Sequence, residues 1–328
     1  MKFGIVGTNF VSDFFMKAAS YVDEAEVVGV CSGKKENAIN FSKKYNIPYV
    51  FDDYISMIES KMIDAIYIST PNVKHYEMVI NSLNRKIPVF CEKPLGTNVT
   101  QVKKMIDASK TNNTYLHDGI VPLYTNNLQI IKDNLASIGK IRKAVFSFSK
   151  YSSRYDSYLQ GNNPTTFQRE MANGSMMDLG IYVLSDAIAL FGKPNKVSAS
   201  AVLLDTKVDC LGTITLTYDN FEAVLLHSKV CDTNVVSEIS GENGIITFEI
   251  PSLIQNVYLS TKDNPNQTKI SVDHEYPFAF QLMDFIKNVK QQRIESTFVP
   301  HSLSLEIHDI LTRCRLQCDV IYDDDNIE

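Results

Sequence analysis

Nowhere do the 328 residues offer an uninterrupted apolar run approaching the roughly 20 positions needed to cross a bilayer. The chain also lacks a basic excess: its formal net charge is −6, which argues against a polyanionic partner such as nucleic acid. No basic region followed by an apolar block opens the chain, and MKFGIV alternates like a strand of the mature fold. The expectation is a cytoplasmic protein with neither membrane nor nucleic-acid partners, whose anionic ligands are small and held locally. Low-complexity runs, internal repeats and Gly/Ser linkers are missing too. There is no CxxC pair and no HExxH, so His301, His308, Cys314 and Cys318 read as packing residues and no metal is expected. The six scattered cysteines read as reduced thiols.

What is present is enough chain for two cores. Up to about residue 120, short β-branched runs (Lys2 to Val6, Glu26 to Cys31, Ala65 to Ser69, Ile87 to Cys91, Tyr115 to Ile120) alternate with helical patterns (Val11 to Tyr21, Lys35 to Tyr45, Val73 to Asn84, Val99 to Thr111). Strict alternation predicts an α/β domain with a doubly wound parallel sheet over 1–121, whose ligands bind at the carboxyl ends of the strands. The rhythm changes after 122. A helix (Asn126 to Leu135), a strand (Ile141 to Lys150), a polar stretch and a helix from Met176 to Phe191 precede the runs KVSASAVLL, CLGTITLTY, EAVLLHSKV, VVSEIS, GIITFEI and NVYLST. This predicts an α+β domain over 122–328 with a large, mostly antiparallel open sheet. Helices Phe278 to Lys290 and Ser302 to Asp319 end it, and DDDNIE reads as a solvated acidic tail.

A second set of absences falls in the first turn, GTNFVS. A dinucleotide loop has glycine at its first, third and sixth positions; here they are Gly7, Asn9 and Ser12. Gly7 can make the tight turn. Asn9 can stand in for the second glycine, because asparagine takes positive φ more readily than other non-glycine residues, and Ser12 is small enough for the third place. Asn9 is therefore expected at positive φ, or otherwise with its backbone brought to the pyrophosphate. Thr8, Phe10 and Val11 complete the loop and the helix start. After the second strand no carboxylate awaits the ribose; Ser32, Lys34 and Lys35 do, which favours NADP while leaving NAD possible.

Three motifs carry a family resemblance: STPNVKH (Ser69 to His75), CEKPLGTN (Cys91 to Asn98) and NGSMMDLGIY (Asn173 to Tyr182). In this order and at these spacings the sequence resembles the glucose-fructose oxidoreductase, inositol dehydrogenase and rhizopine-catabolism (Gfo/Idh/MocA) family along essentially the whole chain. Tyr182, where many members carry histidine, resembles the dihydrodiol dehydrogenase-like subgroup. The resemblance implies hydride transfer between a nicotinamide and a secondary hydroxyl or carbonyl of a sugar, polyol or cyclic diol. It also implies a catalytic centre of Lys93 and Tyr182, with Asp178 orienting Lys93 or a substrate hydroxyl. Ser69, Thr70, Pro71, Asn72, His75, Glu92 and Pro94 would lie near the cofactor, and a homodimer or homotetramer is implied.

Two departures accompany it. Asn173 precedes Gly174 where the family pairs glycines, and HDGIVP places Asp118 where relatives often have Glu-Ala. Arg169, and with it Lys150, Tyr151 and Arg154, could contact substrate. The chemistry suits these residues: oxidising an alcohol needs a base for its proton, and reducing a ketone needs an acid in the same place. A tyrosine with pKa near 10 needs about 2.7 kcal/mol of help to titrate two units lower, which a nearby desolvated lysine can supply. An alternative is a non-catalytic, dinucleotide-sensing regulator on the same fold. A tightly retained cofactor cycling between two substrates is a further one.

Overall fold

A computed structural model describes residues 1–326. The chain forms two compact units: Met1–Gly119 with Tyr276–Leu305, and Ile120–Glu275 with Glu306 onward. The expected single cut between 121 and 122 is corrected, because the segment 276–305 returns to the first unit.

In that unit the elements are β1 (Lys2–Val6), α1 (Phe10–Ser20), β2 (Glu26–Cys31), α2 (Lys35–Tyr45), β3 (Tyr49–Val50), α3 (Tyr54–Glu59), β4 (Ala65–Ile68), α4 (His75–Asn84), β5 (Val89–Glu92), α5 (Val99–Asn112) and β6 (Leu116–Gly119). The sheet order is β3-β2-β1-β4-β5-β6, all parallel. The short pair β3 and α3 has too little apolar periodicity to be read from the sequence. The order reverses between β1 and β4, which makes a ligand-binding crevice at their carboxyl ends. Ring packing explains the return of the chain. Phe285, from the helix Phe278–Lys290, sits 5.5 Å from Phe3, 5.6 Å from Phe90 and 5.1 Å from Tyr115, all fully buried rings. Burying a ring of this size is worth about 2 to 3 kcal/mol, so covering this face of the sheet outweighs continuity along the chain.

The second unit contains α6 (Asn126–Asn134), β7 (Ile141–Ser149), α7 (Tyr155–Leu159), α8 (Ile181–Phe191), β8 (Lys196–Leu203), β9 (Asp209–Thr217), β10 (Glu222–Ser228), β11 (Ser237–Gly241), β12 (Gly244–Glu249), β13 (Gln255–Thr261) and β14 (Thr268–Lys269). After these come α9 (Phe278–Lys290), in the first unit, and α10 (His301–Gln317), which runs from the first unit's last residues into the second. The eight-stranded sheet has order β14-β13-β12-β11-β7-β10-β9-β8 and is antiparallel except between β7 and β10. β10 alternates: Ala223, Leu225 and His227 are buried, while Val224 and Leu226 are only partly so. The segment Arg169–Phe191 is, by length and composition, apolar enough to cross a membrane, contrary to the sequence expectation; 67% of its most apolar window is buried, and it is core.

The acidic tail is also corrected. Asp325 pairs with the fully buried Arg315 through both guanidinium NH groups at 2.7 and 2.5 Å, and Arg315 also donates to the Val320 carbonyl. Ile327 and Glu328, the end of that tail, lie outside the described residues. All six cysteines are free thiols.

Candidate active site

In the first unit the predicted cofactor residues gather at the carboxyl ends of five strands. Gly7 follows β1 with φ 103°, and a Cβ there would fall 2.6 Å from the Ser69 carbonyl oxygen. Only glycine fits, so the first place of the loop keeps its glycine. Asn9 corrects the expectation of positive φ: it is extended (φ −83°, ψ −179°) and caps α1, accepting at its side-chain oxygen from the Val11 and Ser12 amides. Its side-chain amide donates to the Ser69 carbonyl at 2.7 Å. Asparagine thus replaces glycine's conformational freedom with a cap and a tether. Ser12, buried, donates to the Gly7 carbonyl at 3.0 Å and lies 2.8 Å from the Ser69 hydroxyl, so the third place has gained a hydrogen-bonded lock.

The Thr8 hydroxyl donates to that of Ser32 at 3.2 Å, joining the loops after β1 and β2. Lys34 is exposed, and Lys35 pairs with Asp52 at 2.6 Å, both well solvated. Phe10 is 69% exposed at the start of α1, with Val11 half-buried beside it. Beyond β4, Thr70, Pro71 and Asn72 lead into α4. His75 is buried, with Nδ1 2.9 Å from the Pro94 carbonyl oxygen and Nε2 2.9 Å from that of Thr70. Burial holds its pKa below the ordinary histidine value and the Lys93 charge adds to this, while the two carbonyls oppose. A neutral imidazole has one N–H, which donates to one of these two carbonyls and is not left for a ligand.

Glu92 ends β5, buried, accepting from the Tyr67 hydroxyl at 2.8 Å. Burial pushes its carboxyl up to about 7; the Tyr67 bond and Lys93 charge pull down, and Asp118 pushes up. Asp118 itself is buried in β6, in register with Cys91, one residue before Glu92. Lys93 is therefore the cation that follows a pair of buried carboxyls. These features fit a dinucleotide: a turn only glycine can make, a capped helix start and loops locked to one another at the switch point.

In the second unit, Asp178 and Tyr182 do not sit on one continuous α-helix. Met176–Gly180 is a π turn running into α8 at Ile181, a geometry found often at functional sites. The turn is held by long-range partners. The Asp209 carboxylate accepts from the Met176 amide at 2.6 Å, and His227 Nδ1 lies 2.9 Å from the Ser175 hydroxyl. Gly174 has φ 146°, and a Cβ there would meet Asp209 Oδ1 at 2.2 Å, which explains the glycine at that position. Burial raises the Asp209 carboxyl to about 6, against the Met176 bond and the Lys229 and Arg315 charges. The Tyr182 ring packs edge-on against Phe148, centroids 5.6 Å apart.

Sequence reasoning missed Lys229. Its ammonium pairs with the Asp178 carboxylate, and its amide donates to the Cys210 carbonyl at 2.8 Å, just past β10. A signal existed: Ala223, Leu225, His227 and Lys229 share one face of an extended chain, so two polar residues occupy inward positions of an apolar run. Arg169 binds the C-terminal segment, pairing with Asp323 at 2.7 Å and donating to the Ile321 carbonyl at 3.2 Å. The Tyr322 hydroxyl donates to the Asn173 carbonyl at 2.7 Å, so the tail braces the residue next to Gly174. Lys150 donates its amide to the Ser228 carbonyl, and the Tyr151 hydroxyl donates to Asp156 at 2.5 Å.

Comparison with known proteins bears on the whole chain. Residues 1–119 match the Gfo/Idh/MocA oxidoreductase family with an NAD-binding Rossmann fold, and 131–247 match the family's C-terminal domain. The chain is 33% identical over 322 residues to the scyllo-inositol 2-dehydrogenase (NADP(+)) IolU of Bacillus subtilis, covering 98% of each. It is 23% identical over 346 residues to the trans-1,2-dihydrobenzene-1,2-diol dehydrogenase of Danio rerio, covering 99% of each. In fold it is similar to the 3-ketoreductase KijD10 of Actinomadura kijaniata, solved with NADP and TDP-benzene, at TM-score 0.86 and 20% identity, covering 97% of this chain and 98% of that one. The chain belongs to the Gfo/Idh/MocA family of NAD(P)-binding oxidoreductases.

Proposed function

We propose that the protein is an NADP-preferring dehydrogenase or reductase acting on a secondary hydroxyl or carbonyl of a polyol, sugar or cyclic diol. The observation that carries this reading is the Gly7, Asn9, Ser12 and Ser69 lock at the β1/β4 switch point, with Lys93 issuing from the neighbouring strand end. NADP, when bound, supplies or accepts the hydride. Lys93 holds the substrate oxygen, and Tyr182 gives that oxygen a proton in reduction or takes it in oxidation. The Lys93 charge stabilises the tyrosinate in the second direction. His75 and Glu92 hold the strand end from which Lys93 projects.

The preference for NADP rests on Ser32 and Lys34, since Lys35 is shared with Asp52. Similarity to an NADP(+) inositol dehydrogenase supports both cofactor and substrate class. The family's self-association extends to this chain as a homodimer or homotetramer. Fluorescence titration with NADPH and NADH, followed by turnover of an inositol, sugar and cyclic-diol panel, tests the reading. Lys93→Met is expected to lower kcat by about 100- to 10,000-fold while NADPH still binds. Unchanged turnover in that variant would refute the catalytic role, and equal affinity for the two cofactors would remove the case for NADP.

A further inference from the structure

The side chain of Lys229 is 6% exposed and that of its partner Asp178 is 38% exposed, an asymmetry that the reaction outlined above leaves unused. We infer that Lys229 is a positioning residue of the substrate site. Its buried ammonium fixes Asp178 as an ionised carboxylate that accepts a hydrogen bond from a second hydroxyl of a neutral polyol. The inference rests on the polyol reading and deepens it.

The cation lies inside and the carboxylate faces outward, the reverse of a lysine that snorkels its charge into water. A desolvated ammonium needs a counter-charge, and Asp178 supplies it from the π turn just before Tyr182. Behind the pair, the Lys229 ammonium lies 5.9 Å from the centre of the buried Phe167 ring, and its charge acts on the fully buried Asp209. Lys229 is therefore held by ring packing, by its own backbone bond to Cys210 and by the Asp178 carboxylate. Asp178 inherits that order.

A carboxylate bonded to a cation only accepts hydrogen bonds, so it selects hydroxyl donors. The pair is also electrically neutral, which gives no attraction to a phosphorylated or carboxylated substrate. This assigns the ordering of Asp178 to a residue outside the three sequence motifs.

The test uses the full chain with NADP and myo-inositol, comparing wild type, K229M, K229R, D178N and the K229M/D178N double variant, with NADPH titration and thermal melting of each. K229M should raise KM by about 10- to 100-fold, the worth of a hydrogen bond to a charged group, with kcat changing about threefold or less. K229R should restore KM, and K229M should add nothing to D178N. An unchanged KM in K229M, or additive effects in the double variant, overturns the inference. Should K229M not fold, K229Q takes its place in the same cycle. A wild-type protein that turns over no inositol, sugar or cyclic diol sinks the polyol reading itself, whereas wild-type turnover with an insensitive Lys229 sinks this inference alone.

Discussion

The two units build their functional edges in different ways. In the first, the candidate residues lie at strand ends or at the helix starts after them, and the loops lock onto one another: Gly7 turns against the Ser69 carbonyl, Asn9 caps α1 and reaches Ser69 60 residues away, and Glu92 ends β5 just before Lys93. In the second, the π turn carrying Asp178 depends on Asp209, His227 and Lys229, which lie 33, 52 and 51 residues away from the groups they touch. A parallel sheet places its loops at one edge by topology alone. An irregular turn against an antiparallel sheet must be pinned by side chains from neighbouring strands. The two candidate edges thus differ in what pins them: in the first, parallel-strand loops locked to one another; in the second, side chains from neighbouring strands of the sheet.

Paired glycine substitutions should separate the two edges most strongly. Gly174→Ala must move the Asp209 carboxylate, so kcat/KM is expected to fall on the order of 100-fold or more while NADPH affinity holds. Gly7→Ala must move the Ser69 backbone, so NADPH affinity should fall by a similar factor. Loss of NADPH binding in Gly174→Ala would show that the edges are not independent.

An effect of comparable size should appear in the pH dependence of stability. Glu92 has a carboxyl raised to about 7, so its contribution is fully present below the ordinary glutamate pKa of 4.5 and is lost as pH rises through about 7. Denaturant unfolding of Glu92→Gln should therefore lack a decline on the order of 3 kcal/mol that the wild type shows across that window. Identical pH profiles would mean that burial leaves the Glu92 pKa the same in the folded and unfolded chain.

Smallest is the cap. Asn9→Ala removes the side-chain acceptor for the Val11 and Ser12 amides and the donor to Ser69. A cost of about 1 kcal/mol, roughly fivefold in NADPH dissociation constant, is expected, with kcat unchanged. Asn9→Asp should keep the cap and lose the tether, falling between the two.

Much of this architecture was legible in the residues. Lys2–Val6 and Glu26–Cys31 form strands with the bounds their β-branched pattern indicated, and Phe278–Lys290 is a helix as its periodicity indicated. Where that last helix would pack was not legible, because an apolar face does not name its partner. Asn9 illustrates the same limit at one residue. Its side chain can favour positive φ or cap a helix, and the choice depends on Ser69, which lies 60 positions away.

The sequence by itself determined the parallel strand-helix rhythm, the glycine turn after β1 and the motif residues Lys93, Asp178 and Tyr182, because period and turn chemistry are local properties. Only the tertiary structure decided that 276–305 belongs to the first unit, that Met176–Gly180 is a π turn, that Arg315 and Arg169 bind the acidic tail, and that Lys229 backs Asp178. Each of those is a contact between distant residues, and its free energy comes from burial and charge pairing that arise only when the chain closes on itself.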